Sequence, residues 1–147
     1  MIELKWTTIT TFRLADQEVV GPWLVACDVI GAATTRLKLK AKGEWTAMSG
    51  LPACGPDGLP GQAFPDDRLV VADCPVGALI GKIGGSSATL KAVAIATEAG
   101  EAKPFAIGSQ TALKLPDNAI GPLYVGFNIL NRPLKVKTLE LEILGAS

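Results

Sequence analysis

The sequence contains no histidine, which removes the commonest catalytic and metal-binding side chain. Histidine activation of a serine or cysteine nucleophile, general-base catalysis by imidazole and histidine-ligated zinc are therefore excluded for this chain. A catalytic site would have to use carboxylates or lysine, and the sequence shows no nucleophile beside a base. We therefore expect a protein that is not an enzyme.

An excess of charge of either sign is also lacking, because 14 basic residues balance 14 acidic ones. Proteins that bind nucleic acid or an anionic membrane through electrostatics need a basic excess, so neither partner is expected. A chain without net charge also lacks the repulsion that opposes self-association. We therefore expect a homo-oligomer or a larger assembly.

Long apolar runs are absent as well. No stretch approaches the roughly 18 apolar residues of a membrane span, so membrane insertion is not expected. Met1 leads into the alternating segment IELKWTTITTF, which lacks the continuous apolar core of a signal peptide. These features predict a protein without a signal peptide that is cytoplasmic or incorporated into a virion or another large particle.

Cysteine is scarce and odd in number, so at most one disulfide can form within the chain. Cys54 and Cys74 both lie beside turn residues, and a bond between them is conceivable. The alternative is three reduced thiols in a cytosolic protein, with Cys27 filling core space. The sequence favours reduced thiols but leaves both interpretations open.

Alternation with a period of two dominates what is present. In the segment 35–42, small or apolar residues occupy odd positions and cations occupy even ones, which is typical of a strand with one buried face. Near the C-terminus, Val136 is apolar on an even position whereas Leu139, Leu141 and Ile143 occupy odd ones. The phase slips near Thr138, and this slip predicts a β-bulge.

Further strand candidates are separated by glycine and proline clusters. They are Ile2–Thr11, Trp23–Ile30, Arg68–Ala72, Ala78–Ile83, Leu90–Thr97, Phe105–Leu115 and Leu123–Leu130. Eight or nine short strands without a predicted helix indicate one all-β domain over residues 1–147, a β-sandwich or jelly roll. The segment Met1–Val20 either pairs within its own sheet or forms an arm that docks on a neighbour's sheet edge.

The longest irregular stretch, Ser49 to Arg68, is rich in proline and glycine and is expected to form an ordered binding loop. Its carboxylates Asp57, Asp66 and Asp67 suit either calcium coordination or the capping of turns, and capping is the simpler interpretation. The segment GALIGKIGG, residues 77–85, has the wrong spacing for a phosphate-binding loop and is predicted to be a buried strand. The three tryptophans fall on apolar strand positions, which favours the core over a sugar platform.

Several segments, taken in order, resemble the PA-I type family of galactose-binding lectins. They are LKLKAKGEW (37–45), CGPDG (54–58), VGALIGKIG (76–84), PFAIGS (104–109) and GPLYVGFNI (121–129). The matching order covers roughly residues 23 to 144, with residues 90–103 as an insertion. The motifs consist mainly of glycine and apolar residues, so the resemblance implies the β-sandwich fold more strongly than the function.

Members of that family bind a terminal galactose through a calcium ion. Asn128 matches the first residue of the family's Asn-Asp calcium-binding step, but Ile129 occupies the aspartate position and offers no side-chain oxygen. Of the family's second ligand pair only Asn131 remains. The resemblance therefore implies a lectin-like module that has lost calcium-dependent galactose binding. No cofactor is expected, since calcium is the one ion suggested and most of its ligands are missing.

The sequence as a whole predicts a lectin-like binding or attachment module whose partner is a glycan or a protein. No catalytic or metal-ligating residue is assigned. The predicted ligand-binding residues lie in the long loop and in the turn that follows residue 127: Asp57, Gln62, Asn128, Asn131 and Arg132. The alternative is a structural assembly subunit, such as a virion decoration protein, a fibre protein or another component of a large particle.

Overall fold

The computed structural model describes residues 5–19, 23–30, 34–84, 104–115, 121–130 and 134–146. A 3-10 turn at Asp66–Arg68 is the single helical element within these ranges. The rest of the regular structure is eight strands: β1 (Thr7–Val19), β2 (Leu24–Ile30), β3 (Arg36–Thr46), β4 (Leu79–Ile83), β5 (Phe105–Ala106), β6 (Gln110–Lys114), β7 (Gly121–Phe127) and β8 (Leu134–Ala146). The predicted all-β fold is confirmed.

The strands form two four-stranded sheets, ordered β1-β8-β3-β6 and β2-β7-β4-β5. The first strand pairs with the last, the second with the seventh, the third with the sixth and the fourth with the fifth, always antiparallel. Two further ladders, β3–β8 and β4–β7, join these pairs into sheets. A long hairpin ribbon rolled upon itself produces this order, which is the jelly-roll arrangement of a β-sandwich.

The core lies between the two sheets and follows from the alternation in the sequence. In β3, Leu37 and Leu39 are fully buried while Lys40 and Lys42 are exposed. Burial of each such aliphatic side chain contributes about 1.5–3 kcal/mol relative to its exposure. The inward side chains of β7, Leu123, Val125 and Phe127, are likewise completely buried in the same cluster.

The bulge predicted near Thr138 is confirmed. In the β3–β8 ladder, Glu44 faces Thr138 but Trp45 faces Val136, so Lys137 is an extra residue in β8. The extra residue allows Val136 and Leu139 to face the core although they are three positions apart. In the neighbouring ladder the matching position on β1 is Asp16, the one non-glycine residue of the described ranges with a positive φ, 46°.

Several predicted strand bounds are wrong. The segment Arg68–Ala72 contains no strand, and only its first residue belongs to the 3-10 turn. The segment Phe105–Leu115 is not one strand but two, β5 and β6, which are separated by a turn at Gly108, whose φ is 63°. The strand predicted at Ile2–Thr11 instead runs from Thr7 to Val19, and the one predicted to reach Leu130 ends at Phe127. The candidate at Leu90–Thr97 lies outside the described residues.

The N-terminal strand pairs within its own sheet. β1 forms a ladder with β8 from Thr7 to Val19, and Phe12 and Leu14 pack against the core. The alternative prediction, an arm that docks on a neighbour's sheet, is therefore wrong for residues 7–19. No helix in the described ranges is long and apolar enough to cross a bilayer.

Candidate functional site

Asp57 stabilises a turn in the structure. Its Oδ1 accepts a hydrogen bond from the backbone N–H of Ser109, at 2.9 Å, in the turn between β5 and β6. A Cβ atom placed on Gly108 would lie 2.8 Å from the same oxygen, so the turn fits closely around the carboxylate. Asp57 is exposed, but one carboxylate oxygen is already used in capping this turn, which is the simpler of the two roles considered for the loop carboxylates.

Asn128 is completely buried, and its amide group holds the segment 71–75, which follows the long loop. Its Nδ2 donates to the carbonyl oxygens of Val71, Cys74 and Pro75 at 2.9–3.0 Å, and its Oδ1 accepts from the N–H of Val71 at 2.8 Å. The side chain has no exposed surface with which to contact a ligand. Its assignment as a ligand-binding residue is therefore corrected to a structural role.

The remaining predicted ligand residues do not converge with these two in the part of the chain that is described. Gln62 is exposed, and its Nε2 donates only to the neighbouring Ala63 carbonyl oxygen at 3.3 Å. Asn131 and Arg132 lie outside the described residues. The long loop therefore brings together no visible binding constellation from the predicted set.

The position that the lectin resemblance assigns to a calcium-binding aspartate is apolar and inaccessible. Ile129 is fully buried within the main core cluster. In the described ranges, no group of three or more cysteine or carboxylate side chains is arranged to hold a metal ion. The residues that are visible at this place do not fit a calcium ion, since a hard cation requires several converging oxygen ligands.

None of the three cysteines forms a disulfide, so no bond joins Cys54 to Cys74. Burial raises the pKa of the Cys54 thiol to about 11, and its Sγ lies 3.9 Å from the Gly77 carbonyl oxygen. Burial, and secondarily the negative charge of Asp73, raises the pKa of the Cys74 thiol. Neither environment favours the thiolate, so these two residues are poor nucleophiles.

Two of the three tryptophans belong to the interior, as predicted. Trp45 is almost fully buried, donates from Nε1 to the Gly77 carbonyl oxygen at 2.7 Å, and meets the Phe127 ring edge-on at 4.9 Å. Trp23 is buried in a smaller cluster outside the main core. Trp6 differs, because it is only partly buried and the Lys38 ammonium lies 4.7 Å from its ring centre.

The glycine-rich segment on β4 has the structural role expected of it. A Cβ atom on Gly81 would lie 2.9 Å from Ile107 Cδ1 and 3.2 Å from the Tyr124 carbonyl oxygen, so the strand is closely approached from both sides. The adjacent Lys82 is 1% exposed and its Nζ lies 4.9 Å and 5.5 Å from the ring centres of Trp23 and Tyr124. This lysine is inside the protein and not available to a phosphate group.

A different surface has the properties of a binding site. The outward side chains of β1, β8, β3 and β6 form what we call the charged face: Arg13, Arg36, Lys38, Lys40, Lys42, Glu44, Gln110, Lys114, Lys135, Lys137, Glu140 and Glu142. Glu140 lies 3.8 Å from Arg13 and 4.0 Å from Lys42, and Lys137 lies 3.5 Å from Glu44. All of these ion pairs are largely solvent-exposed, so each contributes less than about 1 kcal/mol to stability.

Three neighbouring grooves cross the charged face. The first, of about 460 Å³, lies at the β-bulge between Asp16, Glu44 and Lys137. The second, of about 580 Å³, shares Glu44 with it and extends to Arg13, Lys42 and Glu140. The third, of about 180 Å³, continues from Lys42 and Glu140 towards Lys40 and Glu142. The first two are open grooves, and both hydrogen-bond donors and acceptors line them.

The bulge shapes this surface. A Cβ atom on Gly43 would collide with the Thr138 carbonyl oxygen and lie 2.9 Å from Leu139 Cα, so glycine permits the close contact between β3 and β8 beside the extra residue. Bulges redirect side chains and are frequent beside binding sites. Here the bulge places Lys137 and Asp16 opposite one another at the first groove.

Sequence reasoning identified the long loop as the binding element and did not nominate the charged face. A signal was present, because both the 36–42 segment and the last strand carry charges on alternate positions. Solvation alone also explains that pattern, and which strands lie side by side is not visible in it. No protein-family model matches the chain, and no curated protein matches it.

Proposed function

We propose that the chain is a non-catalytic, lectin-like binding module that contacts a glycan through its charged face and does so without calcium. The observation that carries this proposal is the continuity of the grooves. Glu44 lines both larger grooves, and Lys42 and Glu140 line two of the three, so a single elongated ligand contacts the same few side chains along its length.

The chemistry of the face suits a polyhydroxylated ligand. A sugar hydroxyl both donates and accepts hydrogen bonds, and the grooves alternate ammonium or guanidinium donors with carboxylate acceptors. Hydrogen bonds to charged partners are roughly twice as strong as those between neutral groups. Because these side chains project from adjacent hydrogen-bonded strands, the spacing of their backbone attachment points is set before a ligand arrives.

The resemblance to galactose-binding lectins supports the class of ligand but not the location of the site. In that family the sugar is held through calcium at a position where this chain has the buried Ile129 and the buried Asn128. The jelly-roll fold occurs in lectins and in viral capsid proteins alike, so it does not distinguish the candidate functions.

The experiment is a glycan array followed by titration calorimetry on the best ligand, with and without EDTA. We expect binding that EDTA leaves unchanged. Glu44→Gln and Lys42→Ala should each weaken it at least about fivefold, because each removes a charged hydrogen-bonding group. Gln62→Ala is the matched control: it changes an exposed residue that lines none of the three grooves, and its affinity should equal that of the wild type.

Three results would contradict the proposal. Abolition by EDTA would return the site to the calcium position of the lectin family. Loss of binding in Gln62→Ala with retention in Glu44→Gln would place the site in the long loop. A complete lack of glycan binding would remove the lectin function.

A second candidate, a structural assembly subunit, is favoured by one specific observation. β1 is an edge strand, and its first five residues, 7–11, lack charge and proline, two of the common protections of a sheet edge; a third, a bulge, is present between Thr8 and Thr10. Ile9 in this stretch is 38% exposed. An edge of this kind can pair with a strand of another copy in a virion or other large particle.

A further inference from the structure

The outward cations of β3 have unequal electrostatic surroundings. Arg36, Lys38, Lys40 and Lys42 occupy alternate positions on one side of the strand, about 7 Å apart. At the Lys42 end, negative charge is adjacent: Lys42 lies directly opposite Glu140, and Lys40 lies directly opposite Glu142. The positive charges of Lys40 and Lys42 are therefore compensated by carboxylates on the neighbouring strand β8.

Among the described residues, the Arg36 end has no carboxylate directly opposite its cations. Arg36 lies directly opposite Lys114 of β6 on one side and Ala146 of β8 on the other. Lys38 lies between Ala112 and Leu144. Within the described part of the chain, no carboxylate forms an ion pair with Arg36, Lys38 or Lys114, whereas the ion pairs that do occur on this face involve Glu44 and Glu140.

Two features of this end indicate a ligand. First, like charges directly opposite one another in an antiparallel pair are destabilising, and an anion bound between Arg36 and Lys114 removes that repulsion. Second, the Lys38 ammonium is positioned 4.7 Å from the ring centre of Trp6, a contact that restricts an otherwise flexible side chain. The β6 side of the group is a sheet edge, which leaves it accessible to a chain-like ligand.

We propose that Arg36, Lys38 and Lys114, which we call the cation triad, bind an acidic group of the glycan, so that the ligand is an acidic polysaccharide. The inference rests on the proposed glycan-binding function and specifies its ligand. Arg36 offers a planar pair of donors that matches a carboxylate or a sulfate, and Lys114 and Lys38 add point charges on either side of it.

An acidic polysaccharide fits the whole face better than a nucleic acid does. Double-stranded nucleic acid carries about one charge per 1.7 Å of its axis and would pass over Glu140 and Glu142 on the neighbouring strand, which repel it. A polysaccharide with one acidic group per sugar places neutral hydroxyls between its charges. Those hydroxyls can donate to the same carboxylates while the acidic group occupies the cation triad.

The test compares polygalacturonate with its fully methyl-esterified form, which has the same backbone without the charges. We expect the wild-type chain to bind polygalacturonate more tightly at low ionic strength, and the difference to shrink as salt is added. Arg36→Gln and Lys114→Gln should each lower the affinity for polygalacturonate about threefold, as expected for exposed charge contacts, and leave the methyl ester unaffected.

Two control variants distinguish the cation triad from a general loss of positive charge. Lys114→Arg keeps the charge at the site and should retain wild-type affinity. Arg68→Gln removes one positive charge from the long loop and should leave the affinity for polygalacturonate unchanged. Unchanged binding in Arg36→Gln and Lys114→Gln would overturn the inference, as would tighter binding of a short DNA duplex than of polygalacturonate.

The outcomes also separate this inference from the proposed function. If the methyl ester binds and loses affinity in Glu44→Gln while polygalacturonate binds no better, the glycan site stands and the cation triad does not. If neither polysaccharide binds and the array is negative, both fail. If only polygalacturonate binds, and only through the cation triad, the cation triad is confirmed and the grooves are not part of the site.

Discussion

At the scale of single residues, the clearest case is Asn128, where one buried amide satisfies four backbone groups of a loop distant in sequence. Val71, Cys74 and Pro75 are 53 to 57 residues away along the chain, yet all of them bond to this side chain. A buried backbone group without a partner costs about 1–3 kcal/mol, so the amide determines whether this loop end can be buried at all. Its function is to hold the loop against the end of β7.

We predict that Asn128→Ala lowers the free energy of unfolding by about 3 kcal/mol, because it leaves several buried groups unsatisfied. Asn128→Asp should be at least as damaging, since it directs a carboxylate oxygen at three carbonyl oxygens. Urea denaturation measures both. The control is Gln62→Ala, an exposed amide whose loss should change stability by less than about 0.5 kcal/mol. Wild-type stability in Asn128→Ala would show that the loop is held by other contacts.

The residue scale also shows where sequence reasoning reaches its limit. The phase of β7 places Leu123, Val125 and Phe127 inward, and this much is readable from the alternation. The same phase directs Asn128 outward, and the resemblance to a lectin motif made it a ligand candidate. Asn128 is buried by the segment 71–75, which lies more than fifty residues earlier in the chain. The local sequence pattern around Asn128 carries no information about a contact with so distant a segment. Trp6, in contrast, has the apolar phase of a core residue but lies near the start of β1, where the sheet edge leaves it partly exposed.

At the scale of elements, the bulge that β8 forms against β3 shapes the charged face. The sequence predicted it because the apolar phase of β8 shifts by one position near Thr138. The irregularity of β1 was not predictable in the same way, since Asp16 lies in a polar stretch without an apolar phase to interrupt. In the structure Asp16 lies between Ala15 and Gln17, which pair with Thr138 and Val136, and it has a left-handed conformation with φ 46°. Aspartate tolerates that region better than most residues.

This conformation leads to a prediction about β1. Asp16→Val should destabilise the protein by about 1–2 kcal/mol, because a β-branched side chain is strained at positive φ. Asp16→Gly should be neutral or slightly stabilising, since glycine adopts this conformation freely. The matched control is Gln17→Val, the next exposed position in the same strand, which should cost less than about 0.5 kcal/mol. Thermal unfolding of the three variants tests the order, and equal stability of Asp16→Val and Gln17→Val would contradict it.

At the scale of the whole molecule, zero net charge conceals an uneven distribution. The first sheet carries more basic than acidic residues, whereas the long loop carries Asp57, Asp66 and Asp67 against a single Arg68. Composition argued correctly against a uniformly basic surface, but only the pairing of β3 with β6 and β8 reveals that positive charge is concentrated at one end of one face. The alternation of apolar and polar residues indicates which side of a strand is exposed to solvent, but it does not indicate which strands are neighbours. The jelly-roll pairing of first strand with last is a long-range property of this kind.

The assembly hypothesis is also decided at this scale, by the mass of the protein in solution. If another copy pairs with the open edge of β1, light scattering should give a multiple of 15.3 kDa that is the same with and without calcium. Ile9→Lys should then reduce the mass to that of one chain, because a charge at the centre of an uncharged edge opposes pairing, while its aliphatic stem preserves the packing beside Gly145. Val25→Lys is the matched control, since Val25 is 47% exposed and lies on an edge strand of the other sheet.

A wild-type monomer at high concentration would exclude assembly through β1, and dissociation by Val25→Lys alone would move the interface to the second sheet. An increase in stability or a change in mass on adding calcium would instead mean that a calcium site exists despite the buried Ile129.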